Sequence, residues 1–126
     1  PLSVALMRSF ISSIPFADMD FSDALRHLMA HFRLPGEAQK IDRILEQFAG
    51  TYHTLNPGTF KEESTPYILA FSLIMLNTDA HNPAVKKKMS LADFIRNNRG
   101  IDGGADLPQK LLRKLYWEVV SREIVM

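Results

Sequence analysis

The segment TPYILAFSLIMLNTDAH, running from Thr65 to His81, carries apolar residues almost all round a helical wheel. A helix of that composition is expected to be surrounded by other helices, because a surface helix keeps one polar face. Thr65 is the expected N-cap, with Pro66 at the first helical position, where a missing N–H costs nothing. Asn82 and Pro83 close the helix. On either side, apolar residues recur at intervals of three and four, and polar or Gly/Pro corners separate the segments. Leu2, Leu6, Phe10 and Ile14 predict a first helix. Asp20 and Asp23 form a variant capping box ahead of Phe21, Ala24, Leu25, Leu28, Met29 and Phe32. Pro35 suits the first turn of a third helix, which carries Ile41, Ile44, Leu45, Phe48 and Tyr52 and ends near Asn56, Pro57 and Gly58. Ser90 with Asp93 opens a short fifth helix, and the residues from Arg99 to Gly104 form a turn-rich corner. A last helix starts near Asp106 and Pro108 and buries Leu111, Leu112, Leu115, Tyr116 and Val119. No strand pattern, internal repeat or low-complexity tract interrupts this series. The sequence predicts one all-α domain of about six helices with short connections.

Composition narrows the function. The chain has 126 residues, 46% hydrophobic and 23% charged, as expected of a soluble globular domain that buries its own core. It holds no cysteine, which excludes a disulfide framework and a thiolate zinc site and suits a reducing compartment. With 15 Lys and Arg against 14 Asp and Glu there is no sustained basic stripe, which argues against nucleic acid as a partner. The longest apolar run, Tyr67 to Leu76, contains Ser72 and is too short to span a bilayer. The opening PLSVALMRSFISSI has no basic stretch leading into an apolar one, so no secretory signal is read there, and it looks mid-domain.

Two places concentrate polar chemistry. In RLPGEAQK, Glu37 stands just past a Pro-Gly corner, and Ile41, Ile44 and Phe48 follow it at four, seven and eleven. At about 100° per residue these share one side, so Glu37 stands above the apolar stripe. It is either a first-turn acid favoured by the helix dipole or a carboxylate at the rim of an apolar groove, and spacing leaves both open. Asp42 lies about 140° round from Glu37 and is a weaker candidate. The second place is Asn77-Thr78-Asp79-Ala80-His81-Asn82-Pro83. Asp79 and His81 lack a third ligand at metal spacing, so local hydrogen bonding at the helix end is expected. Asn77 and His81, four apart, share a face and form one polar edge of a groove. Lys86, Lys87 and Lys88 read as a solvated run, although an acidic partner or anionic surface would also suit them. Met29, Met75 and Met89 are core filler or an adaptable interface. His27, His31 and His53 have no carboxylate and nucleophile at catalytic spacing, and no nucleophile elbow, phosphate loop or zinc-protease motif is present.

FRLPGEAQKIDRILEQFA (Phe32 to Ala49) and YILAFSLIMLNTDAHNP (Tyr67 to Pro83) resemble the two signature motifs of the Sec7 domain, the exchange module acting on Arf-family small GTPases. The resemblance continues through KKKMSLADFIRNNRGIDGGADLP, and the tail is most like the family's large Golgi-associated branch. It implies the C-terminal two-thirds of a right-handed α-superhelix, residues 1–126 holding both motifs.

The resemblance assigns roles. Glu37 is the glutamic finger, entering near the nucleotide β-phosphate and Mg²⁺ of the GTPase, where its charge expels rather than attacks. Phe71, Ile74, Met75 and Asn82, with Asn77 and Asp79 beside them, form the groove wall that grips the GTPase switch regions. Ser72, Met75, Asp79 and Met89 match residues associated with brefeldin A sensitivity, whereas Phe71 replaces the usual tyrosine. The implied partner is an Arf-family GTPase, with no cofactor, no metal site and no nucleic acid. Membranes are reached only through the Arf or through flanking regions, which implies a cytoplasmic protein peripheral to Golgi or endosomal membranes. The competing readings are a catalytically silent Sec7-like interaction module and an all-α enzyme using Asp79 and His81.

Overall fold

The computed structural model describes residues 4–31 and 38–126, with side chains for 5–31 and 41–126. Six helices follow one another in this part of the chain: α1 (Val4–Ser13), α2 (Phe21–His31), α3 (Ala38–Leu55), α4 (Ser64–His81), α5 (Leu91–Asn97) and α6 (Gln109–Ser121). No strand occurs among the described residues, and an isolated bridge between Asp102 and Ala105 closes the α5–α6 corner. The all-α expectation holds.

α4 is the central helix, lying against α3, α5 and α6, while α1 packs on α3 and α2 on α6. Its inner residues Leu69, Ala70, Leu73 and Leu76 are fully buried. From α3 the predicted Ile44, Leu45, Phe48 and Tyr52 all enter the core, as do Leu112, Leu115, Tyr116 and Val119 of α6. Phe21 sits edge-on to Tyr52 and Phe60, with ring centroids 5.2 Å and 5.7 Å apart. Such pairs add about 0.5–1.5 kcal/mol beyond burial.

Three local expectations are corrected. In α1 the buried residues are Met7 and Ile11, followed by Ile14, whereas Leu6 and Phe10 face outward. The side of α1 that meets α3 is thus turned one position from the expected stripe; Leu2 lies outside the described residues. Thr65 is not the N-cap of α4: the helix begins at Ser64, and Glu63 holds the cap position without a side-chain cap bond. The Thr65 hydroxyl instead donates to the Ile101 carbonyl at 2.9 Å and to Asp102 Oδ1 at 3.1 Å. Asp102 Oδ1 also accepts the Lys61 N–H at 2.7 Å, so this buried acid joins the α5–α6 corner to the start of α4. Pro66 still falls within the first turn, where its missing N–H leaves no gap. Finally, α4 is not enclosed on every side, and its exposed face forms the candidate site.

The α5 start matches expectation: Ser90 Oγ accepts the Asp93 N–H, and the Asp93 carboxylate accepts the Ser90 N–H, each at 3.1 Å. That reciprocal box satisfies two donors that a helix start leaves open. It also holds the Asp93 carboxyl below its ordinary pKa, first through the Ser90 backbone bond. Phe32, Pro35 and Glu37 lie outside the described residues, as does the register that relates Glu37 to the α3 stripe.

Candidate functional site on the outer face of α4

Ile68, Phe71, Ser72, Met75 and Asp79 follow one another at helical spacing and share one side of α4. Met75 is 63% exposed and Ile68 40% exposed, with Phe71 half-buried between them. A stripe of apolar side chains facing water on the most apolar helix loses free energy of transfer unless a partner covers it. Asp79 closes one end. At the other end Tyr67 packs edge-on to Phe71, centroids 5.2 Å apart, and its hydroxyl donates to Asp42 Oδ1 on α3. That bond fixes the edge of the stripe against the neighbouring helix. The Asp42 carboxylate, with burial adding to it, raises the Tyr67 pKa to about 12, so the phenol remains a donor.

The Asp79 end is built from several short bonds. Asp79 Oδ2 accepts the Met89 N–H at 2.7 Å, and the Tyr116 hydroxyl donates to the Met89 carbonyl at 2.7 Å. Met89 is thereby held by both of its peptide groups. Lys88 Nζ donates to the carbonyls of Asp79 and Asn82 at 2.9 Å and 2.7 Å. Of the lysine run, Lys88 is therefore a cation on the carbonyl end of α4, where the helix dipole favours it. Around these groups lies a hollow of about 280 Å³ lined by Asp79, Lys87, Lys88, Met89, Asp93 and Asn97. Ser72 Oγ accepts from Asn98 Nδ2 at 2.8 Å, which turns its hydroxyl toward the α5 end. A separate cleft of about 760 Å³ between α1, α3 and the start of α4 adjoins the stripe at Tyr67.

Two predicted wall residues do not join this face. Ile74 is 8% exposed and belongs to the core. Asn77, 3% exposed, lies on the side of α4 opposite the stripe. Its amide donates to the Ile124 carbonyl at 3.0 Å and accepts the Ile124 N–H at 2.7 Å. His81 Nε2 meets the Val119 carbonyl at 2.8 Å. The predicted polar edge of Asn77 and His81 thus binds the end of α6 rather than a partner. Asp79 and His81 bond to different neighbours, Met89 and Val119, and not to each other. Asn82 is the exposed C-cap of α4, its Oδ1 accepting the Ala84 N–H at 2.9 Å. Met29 is core, and Met75 is exposed on the outer face of α4. Sequence reasoning missed Ile68, Tyr67 as a site residue, and the Asn98 and Tyr116 supports. Ile68 is findable as the residue seven before Met75; the supports come from distant segments and leave no local signal.

A family model described as the Sec7 domain matches residues 1–124. The chain belongs to the Sec7 domain family. It is 55% identical over 125 residues to Brefeldin A-inhibited guanine nucleotide-exchange protein 4 of Arabidopsis thaliana, a match covering 99% of this chain and 7% of that protein. It is 48% identical over 122 residues to the ADP-ribosylation factor guanine nucleotide-exchange factor SEC7 of Saccharomyces cerevisiae, covering 97% of this chain and 6% of that one. This Sec7 domain also superposes on the crystal structure of the Sec7p catalytic domain with a TM-score of 0.90 at 48% identity, over 96% of this chain and 64% of that chain. In a structure of ARF1-GDP bound to a Sec7 domain complexed with brefeldin A, the match has a TM-score of 0.90 at 39% identity, over 98% of this chain and 63% of that chain. The chain thus spans a small fraction of the length of these curated relatives and under two thirds of the solved domains.

Proposed function

We propose that this Sec7 domain accelerates GDP release from an Arf-family small GTPase. The observation that carries the reading is the exposed apolar stripe of Ile68, Phe71 and Met75, which a partner's apolar switch residues would cover. The exchange-factor names of the relatives and the ARF1-GDP complex of a structural neighbour identify the kind of partner. Asp79 and Asn82 at the rim set register by charge and hydrogen bonding. Glu37 supplies the charge. A carboxylate about 4 Å from a phosphate costs the bound nucleotide about 4 kcal/mol at an effective dielectric of about 20. That is roughly a thousandfold in dissociation rate. The same carboxylate disfavours the bound Mg²⁺ arrangement and pairs with the phosphate-binding lysine of the GTPase. No covalent bond is made or broken, so the domain catalyses dissociation.

Phe71, Ser72, Met75, Asp79 and Met89 are the proposed contacts for brefeldin A, which would wedge between the stripe and the GTPase. The domain works at the cytoplasmic side of Golgi or endosomal membranes, reached through the Arf or flanking regions; no helix of the described residues is long and apolar enough to cross a membrane. The test is GDP release from a truncated, myristoyl-free Arf. Glu37→Lys is expected to lower the rate about a thousandfold; release as fast as with the parent sequence would falsify the mechanism.

A further inference from the structure

Sulfur chemistry in this chain has a restricted address. There are six methionines and no cysteine, so reversible oxidation by peroxide falls on thioethers alone. Met7 and Met29 are buried, and Met19 and Met89 are half-buried. Met75 is 63% exposed, and Met126 follows at 42%. Oxidation follows exposure, so Met75 reacts first. It also stands in the middle of the stripe, one turn from Phe71 and seven residues from Ile68.

We propose that Met75 is a redox modification site, at which peroxide converts the thioether to a sulfoxide and switches off the partner-binding face of α4. The role of that face rests on the exchange reading above. In the step itself, a sulfur lone pair attacks one peroxide oxygen. The S–O bond forms as the O–O bond breaks, the sulfur loses two electrons, and the hydroxyl now on sulfur gives its proton to the departing hydroxide, which leaves the sulfoxide and water. The product is polar and chiral where the stripe is apolar, and an apolar partner that covers it must bury an S=O dipole. The bonds of the neighbouring polar groups run elsewhere: Asp79 accepts the Met89 N–H, Ser72 Oγ accepts from Asn98, and Lys88 donates to two carbonyls. A loss of about tenfold or more in exchange rate at limiting concentration is therefore expected. Sulfoxide reductases reverse the change, as a switch requires.

The experiment treats the protein with hydrogen peroxide and follows each methionine by peptide mass, alone and with nucleotide-free Arf present, while GDP release is measured on the same samples. Met75 is expected to oxidise fastest and to be protected by the Arf, whereas Met126 is not protected. Exchange should fall in step with Met75 sulfoxide and return on reductase treatment. A Met75→Leu variant, whatever its starting rate, should keep that rate through the same exposure to peroxide. The switch is overturned if Met126 or a half-buried methionine reacts first, or if exchange persists with Met75 fully oxidised. Absence of exchange before any peroxide is added overturns the exchange reading, and the switch with it.

Discussion

At the scale of single residues, the three tyrosines act as hydrogen-bond donors whose ionisation the fold resists. Tyr52 donates to the Met19 carbonyl at 2.7 Å, and burial, with the charge of Asp20 adding to it, pushes its pKa up to about 12. Tyr67 is raised to about 12 chiefly by its bond to Asp42, and Tyr116 is raised chiefly by burial. An alkaline titration followed by tyrosinate absorbance is therefore expected to show none of the three ionising at the ordinary value of about 10 while the fold persists. For Tyr52 the native pKa lies above that of the unfolded chain, so the unfolded chain sheds its proton first. Its contribution to stability is complete below about pH 10 and is lost as the pH climbs to about 12. Tyr52→Phe should cost about 1 kcal/mol at neutral pH through the lost bond. It should also flatten the alkaline decline, as denaturant midpoints at several pH values will show.

At the scale of elements, the end of α6 is held by side chains from two other helices. Arg26 of α2 donates to the carbonyls of Glu118, Arg122 and Glu123 at 2.8 Å, 2.6 Å and 2.9 Å, satisfying groups that a helix end leaves open. Asn77 takes both peptide groups of Ile124 from the α4 side. Asn77→Ala strands two buried groups at about 1–3 kcal/mol each, so a loss of about 2–6 kcal/mol is expected. Ser90→Ala, which removes an exposed cap, should cost about 1 kcal/mol. Thermal or denaturant unfolding of the two variants measures the contrast, and equal losses would contradict the clamp. The same contrast explains what was legible in the sequence. The Ser90–Asp93 box, the Asn82 stop and the buried stripes of α3 and α6 depend on residues a few positions apart, which is the range over which sequence pattern carries information. Thr65 was misplaced because its hydroxyl answers to Ile101 and Asp102, and Asn77 because its partner is Ile124; neither pairing has a local signature. The open face of α4 is legible only in part. The resemblance points to Phe71 and Met75, but periodicity on an all-apolar helix cannot tell exposed Ile68 from buried Ile74, and the positions of α3, α5 and α6 decide between them.

At the scale of the whole molecule, α4 has a buried side that holds the core and an open side that the proposed function assigns to the partner. Leu73, on its inner side, is fully buried, and Leu73→Ala should cost about 2–5 kcal/mol. Met75, two residues later and 63% exposed, contributes little to the core, so Met75→Asp should change stability by about 0.5 kcal/mol or less. Its effect should appear on the partner instead, since a buried, unpaired carboxylate against apolar switch residues opposes docking. Under the proposed exchange function, Glu37 and Met75 should separate within the reaction. A groove variant weakens association, so more exchange protein is needed, but each complex that forms still releases GDP at the parent rate. A finger variant leaves the grip of the α4 face in place and removes the charge that destabilises the nucleotide, so saturation is reached at a similar concentration and at a lower maximum. Measured as GDP-release rate against exchange-protein concentration, Met75→Asp should move the half-saturation point upward, and Glu37→Lys should lower the plateau. If Met75→Asp lowered the plateau without moving the half-saturation point, the stripe would be part of the release step and not a docking surface.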